Sequence, residues 1–165
     1  MVHLTELNKL TPAQIATLAL LEAPDKNGKT RAPIPGRIHL VKELFAIRTT
    51  DLGKRLLPDL EFEADNFGPF DETVFAALDE LSDLGLVETV ATTRRGEIRL
   101  TPKGAIISTD LWKRLREEVR GLLSYVKANY NHRSADSVLH EIYSAFPEMT
   151  KNSISPVAER YRPET

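Results

Sequence analysis

Hydrophobic positions recur along the chain in short periodic stretches, and their spacing divides it into helices and strands. Thr11-Pro12-Ala13-Gln14 opens the first helix, with threonine as N-cap, proline at N1 and Gln14 placed to close a capping box. Ile15, Leu18, Ala19 and Leu21 supply an apolar face at helical spacing, which fades at Glu22 before Ala23-Pro24. The stretch from Pro24 to Gly36 holds three prolines and two glycines and reads as a loop. A second helix begins at about Arg37, with Ile38, Val41, Leu44, Phe45 and Ile47 apolar and Arg37, Lys42 and Arg48 polar. Residues 51–60 fit either a further turn or two of helix or a loop before Pro58.

Glu61 to Asp65 alternates polar and apolar residues, the pattern of a short strand, and Gly68-Pro69-Phe70 reads as a turn. Asp71 caps a third helix, whose stripe of Val74, Phe75, Ala77, Leu78, Leu81 and Leu84 ends at the C-cap glycine Gly85. Two short strands follow, Leu86 to Val90 and Glu97 to Leu100, with residues 91–96 as the hairpin tip. Thr101-Pro102 starts another helix. Three helices and a hairpin in this order predict a mainly α fold with a small β-hairpin, namely a winged helix-turn-helix over residues 11–103. The three helices are expected to bury one core, closed by Phe62 or Phe67.

Residues 104–155 predict a C-terminal helical extension, and residues 156–165 a polar, flexible tail. Trp112, Leu115, Val119, Leu122 and Val126 follow the spacing of a coiled-coil seam. The run lasts barely two heptads, where roughly three to four make a seam persuasive. A helix packed on the winged domain is therefore the first expectation, and a homodimer through this seam the second. Ser134 caps a last helix carrying Val138, Leu139, Ile142, Tyr143 and Phe146, ended by Pro147.

Composition narrows the class. At 41% hydrophobic and 28% charged residues the chain is an ordinary globular sequence rather than a disordered one. Its apolar runs are too short for a membrane span, so no membrane association is expected, and no secretory signal is visible at Met1 to Glu6. The absence of cysteine excludes disulfides, thiolate zinc sites and cysteine nucleophiles. A net charge of −2 hides strong segregation. Residues 25–60 carry eight Lys/Arg against four Asp/Glu, whereas residues 61–90 carry nine acids and no Lys or Arg.

Catalytic patterns are lacking. The four histidines are scattered, no His-Glu-x-x-His or Gly-x-Ser-x-Gly occurs, and Gly28-Lys29-Thr30 lacks the earlier glycine and strand of a phosphate loop. Glu61, Glu63 and Asp65 share one strand face and could hold a divalent cation, but they read better as the wet face of an edge strand. No catalytic residue, metal or cofactor is predicted.

Nucleic acid is the usual partner of a winged helix, yet the third helix offers Asp71, Glu72, Asp79, Glu80 and Asp83 with no base to offset them. Five carboxylates oppose the phosphate attraction that dominates such affinity. Two basic surfaces remain: Arg94, Arg95, Arg99 and Lys103 on the hairpin, and Lys26, Lys29, Arg31, Arg37, Lys42 and Arg48 on the loop and second helix. The leading expectation is a non-enzymatic regulator that meets duplex DNA through its wing and second helix. The alternative is a protein-interaction adaptor that docks a basic partner on the acidic third helix.

The runs Gly36-Arg37-Ile38-His39-Leu40-Val41-Lys42-Glu43-Leu44-Phe45, Phe67-Gly68-Pro69-Phe70, Leu78-x-x-Leu81-x-x-x-Gly85-Leu86-Val87 and Leu100-Thr101-Pro102-Lys103-Gly104 occur in a familiar order. With Ile142 to Thr150 and Asn152-Ser153, they make the chain resemble the YwgA-like winged-helix proteins of bacteria and archaea over about residues 11–155. More distantly it is similar to Panacea-type antitoxin domains. The resemblance implies a cytoplasmic, non-enzymatic helper or regulator linked to defence or mobile elements, and it carries over no catalytic residue.

Overall fold

The computed structural model describes residues 7–91 and 96–163. The chain is mainly helical, with α1 (Pro12–Glu22), α2 (Arg37–Arg48), α3 (Asp51–Leu56), α4 (Glu72–Asp83), α5 (Pro102–Arg114), α6 (Glu117–Tyr130) and α7 (Ala135–Ala145). Strands β1 (Glu63–Asp65) and β2 (Gly68–Phe70) form one antiparallel ribbon, and β3 (Val87–Val90) and β4 (Glu97–Leu100) a second. Two 3-10 turns, Pro147–Thr150 and Pro156–Arg160, follow α7.

The helix starts follow the side chains that cap them. Thr11 accepts from the Gln14 backbone N–H while the Gln14 side chain accepts from the Thr11 N–H, closing the capping box. Thr101, Asp71 and Ser134 likewise accept from the first turns of α5, α4 and α7. Gly68-Pro69-Phe70 departs from expectation, being strand rather than turn. It pairs in register with Glu63 to Asp65, and the chain reverses at Asn66-Phe67. Pro69 is tolerated because a two-stranded ribbon has an open edge that needs no donor. Gly68, at φ +100, lies so close to α7 that a Cβ would stand 2.7 Å from Leu139 Cδ1.

α1 is enclosed nearly all round rather than on one face. Leu18, Leu20 and Leu21 are all buried, and so is Glu22, which binds Arg31 and Thr109 at 3.0 Å each. Around α1 pack Leu40, Leu44 and Ile47 of α2, Val74, Leu78 and Leu81 of α4, and Leu86, Val87 and Ile98 of the second hairpin. The same core continues past residue 103 through Ile107 and Leu111 of α5 and Val119, Leu123 and Val126 of α6.

The seam from Trp112 to Val126 does not exist as one helix. α5 ends at Arg114, Leu115 turns to extended backbone at ψ 143°, and α6 restarts at Glu117. The bend lets both helices pack on α1, so Val119 and Val126 are buried and Trp112, Leu115 and Leu122 lie against the core. A second cluster gathers Phe45, Val138, Leu139, Ile142, Tyr143 and Ala158. Phe62 bridges the two clusters, edge-on to Phe45 at 5.4 Å, whereas Phe67 is 52% exposed and closes nothing.

Residues 156–163 of the expected loose tail are packed. Ala158 is fully buried, Tyr161 meets His140 at 3.0 Å, and Arg162 donates to the Ser153 carbonyl at 2.6 Å. Among the described residues, no helix is long and apolar enough to cross a membrane.

Candidate nucleic-acid interface

The second hairpin pairs Glu88 with Arg99 and Thr89 with Ile98, and Arg94 and Arg95, expected at its tip, lie outside the described residues. The loop between α1 and α2 adds to it: Ile34 and Ile98 exchange backbone hydrogen bonds of 2.9 and 2.8 Å. Arg99 is half exposed and donates through Nε to Glu88 at 2.7 Å. Lys103 is exposed and reaches the Leu84 carbonyl at 3.4 Å. Helix α5 presses Gly104 onto the hairpin's base, where a Cβ would stand 1.8 Å from the Leu86 carbonyl oxygen.

The second helix offers much less basic surface than its sequence suggests. Arg37 ion-pairs with Asp79 at 2.5 Å and lies over the Phe75 ring at 5.4 Å. Lys42 is only 2% exposed, and Arg48 donates through Nε to the Leu57 carbonyl at 3.1 Å. Neither Lys42 nor Arg48 therefore stands ready for a phosphate. The reason is packing: α2 touches α6 on one flank and α7 with the first hairpin on another, so its polar flanks are covered too.

The acids of α4 divide among several roles. Asp71 accepts from the Thr73 and Glu61 backbone N–H groups, Asp79 holds Arg37, and Glu80 accepts from Gln14 at 2.5 Å. Glu72 and Asp83 are exposed. A surface groove instead gathers Asp71 and Glu72 with Asp59, Glu61 and Glu63. The alternation of residues 61–65 was the signal for two of these acids. Among the described residues, no cluster of three or more His, Asp or Glu is arranged to hold a metal ion, Glu61, Glu63 and Asp65 included.

A buried polar network escaped the sequence reading. His39 donates through Nε2 to the Tyr130 carbonyl at 2.7 Å and lies 3.8 Å from Glu43. Glu43 is wholly buried, with neither carboxyl oxygen hydrogen-bonded, and burial pushes its pKa well above the usual carboxylate range against the pull of Lys127. Lys127 donates to the Leu21 carbonyl at 2.9 Å. Burial brings its pKa down to about 8, while Glu43, Asp25 and Glu22 act to raise it. The i,i+4 pair His39 and Glu43, set in an apolar helix, was the available clue.

Between the two hairpins, α2, α4 and α7 lies a cavity of about 530 Å³. Its described lining includes Gly36, Arg37, Ile38, His39 and Lys42 of the α2 start, Phe67, Phe75, Leu139 and Asp136, with Thr89 and Gly96 from the second hairpin. Two of the sequence-predicted basic residues, Arg37 and Lys42, thus meet at one concave site rather than on an open helix face.

No protein-family model matches the chain, and no curated protein sequence matches it.

Proposed function

We propose that the chain is a non-enzymatic winged-helix regulator that contacts duplex DNA chiefly through its wing, the β3–β4 hairpin. The observation that carries this reading is the Ile34–Ile98 bridge, which makes the loop between α1 and α2 a third strand position beside the hairpin. With α1, α2, α4, β3 and β4 this gives the element order of a winged helix, with α3 and the first ribbon inserted between its second and third helices. In that frame α4 would be the groove-reading helix, and its carboxylates make that use unfavourable. Arg94 and Arg95, expected at the hairpin tip, are the cations this reading sends to the DNA backbone, with Arg99, which pairs with Glu88, and Lys103 on its flank. Arg37 joins them only if Asp79 releases it. A role in defence or mobile-element control, in the cytoplasm, follows from the YwgA-like resemblance alone.

The test is binding of random duplex DNA at stepwise salt by fluorescence anisotropy. Replacing Arg94 and Arg95 together by alanine removes at most two phosphate contacts and should lower the log–log salt slope by about 1–2. Absence of binding at low salt, or a slope untouched by the double variant, overturns the reading.

The adaptor reading has its own observation, the groove that collects Asp59, Glu61, Glu63, Asp71 and Glu72. A basic protein partner would be held there by charge. Substituting Glu61, Glu63 and Glu72 by glutamine would abolish its capture and leave DNA binding unchanged.

A further inference from the structure

The cavity beside α2 has no part in the contacts argued above. Its volume of about 530 Å³ falls within the roughly 300–1,000 Å³ of small-molecule sites. Ile38 and Phe67, 41% and 52% exposed, both line it, with Phe75 and Leu139. Exposed apolar side chains that converge on one concavity mark a binding surface, whereas scattered ones need no explanation. Thirteen described residues form the lining, well below the roughly 20–30 that each side of a stable protein interface supplies. The concavity suits a small molecule better than the surface of a second protein.

Phe67 indicates the kind of molecule. Among the described residues it is the one phenylalanine of six without an aromatic partner. Phe45 meets Phe62 and Phe146 edge to face, and Phe70 meets Phe75 likewise, at centroid distances of 5.2 to 5.4 Å. Phe67 is also pinned at the chain reversal of the first ribbon. The carbonyl of the preceding Asn66 accepts from the Ile154 N–H at 2.9 Å and from the Ser153 hydroxyl at 3.1 Å. Asn152 donates to the Ala64 carbonyl at 3.1 Å. A half-exposed ring anchored in this way at a cavity wall is a preorganised stacking surface.

The cations in the lining are already matched. Arg37 ion-pairs with Asp79 at 2.5 Å and lies over the Phe75 ring at 5.4 Å. Lys42 is 2% exposed and not without a partner. Asp136, the one carboxylate among the described lining residues, is exposed and also lines the open groove along α7, which puts it at the rim. An anion therefore meets no unclaimed cation here, and a cation meets only a solvent-screened carboxylate. We infer that this cavity binds a small uncharged aromatic molecule, its ring stacked on Phe67 and lying against Ile38, Phe75 and Leu139. Such an occupant takes no charge away from the partner it has. Thr89 and Gly96 bring the second hairpin into the same wall, so in the proposed regulator an occupant bears on the wing. That consequence rests on the winged-helix reading, whereas binding itself does not.

The experiment titrates the whole 165-residue chain, free of DNA, calorimetrically with one ring in three charge states: neutral indole-3-acetamide, anionic indole-3-acetate and cationic tryptamine. Saturable single-site binding of the amide is expected. Both ions should bind about ten-fold more weakly or worse, because each loses water from a charge that gains no partner. Phe67→Ala, at an exposed position, should keep the melting temperature and weaken the amide by about ten-fold, and Phe67→Tyr should retain binding. Ile38→Ala serves if Phe67→Ala does not fold. The inference fails if the amide does not bind saturably, if either ion binds as tightly, or if Phe67→Ala changes nothing. It fails equally if light scattering gives twice 18.5 kDa and Phe67→Ala halves that mass, since a second copy then fills the cavity. Anisotropy with duplex DNA is measured separately: an amide that binds a protein unable to hold DNA leaves the site standing and removes the regulator.

Discussion

The buried ammonium of Lys127 gives a stability curve with an unusual rise on the alkaline side. Its pKa falls from 10.5 in the unfolded chain to about 8 in the fold. Between those values the unfolded state binds more protons than the native state, so stability climbs with pH. Below about 8 both states are protonated and the burial penalty is felt in full; above 10.5 it has gone. At roughly 1.4 kcal/mol per unit, the depression from 10.5 to about 8 amounts to about 3 kcal/mol. Glu43 works in the opposite direction, since a carboxyl whose pKa is raised loses native stability as pH rises above its unfolded value of 4.5. The comparison is therefore made in a Glu43→Gln background. Removing Glu43 also removes one of the charges that lift the Lys127 pKa, so the rise should begin at or below pH 8. Urea unfolding of Glu43→Gln and of Glu43→Gln/Lys127→Met is followed from neutral pH to 10.5. The single variant should gain about 3 kcal/mol relative to the double across that range. Loss of the donor to the Leu21 carbonyl adds a pH-independent offset of about 1–3 kcal/mol to the double variant and leaves the slope alone. Parallel curves would refute a buried charged lysine.

Two substitutions check the packing. Leu78→Ala removes a side chain that is 1% exposed in the main core and should destabilise by about 2–5 kcal/mol in urea unfolding; an unchanged midpoint would show α4 to be misplaced. Gly104→Ala drives a methyl to 1.8 Å from the Leu86 carbonyl and should lose about 1–3 kcal/mol or more. Its control, Gly121→Ala in α6, meets nothing within 4 Å and should gain about 0.5–1 kcal/mol, so equal effects would contradict the close approach of α5 to the hairpin.

Local signals were legible where one side chain decides a backbone feature. The caps at Thr11, Asp71, Thr101 and Ser134 all lie where the sequence puts them, because each needs only its own first turn. The strands at 87–90 and 97–100 were equally local. What escaped depends on neighbours far along the chain. Periodicity cannot show that α1 is wrapped on all sides, since Glu22 hides its burial until Arg31 and Thr109 reach it. Heptad spacing carried across Leu115 because residues at intervals of three and four also suit two helices that bend over one core. Gly68-Pro69-Phe70 has turn-forming residues, but pairing with Glu63 to Asp65 makes it a strand. For the candidate site, the basic residue types were visible and their exposure was not. Lys42 is covered by elements whose arrival no local pattern announces.

The enclosure of α1 has a consequence for how the chain is made. Residues 12–22 leave the ribosome before two of the helices that cover them, α5 and α6, which follow some eighty to a hundred residues later. Lys127 must cross that interval to reach the Leu21 carbonyl. Until then the first helix carries apolar surface on flanks that later become interior, and such surface is what chaperones and neighbouring nascent chains engage. Closing so long a loop before any contact rewards it slows the search for the native arrangement. The element that organises the finished interior thus waits, after synthesis, for its surroundings.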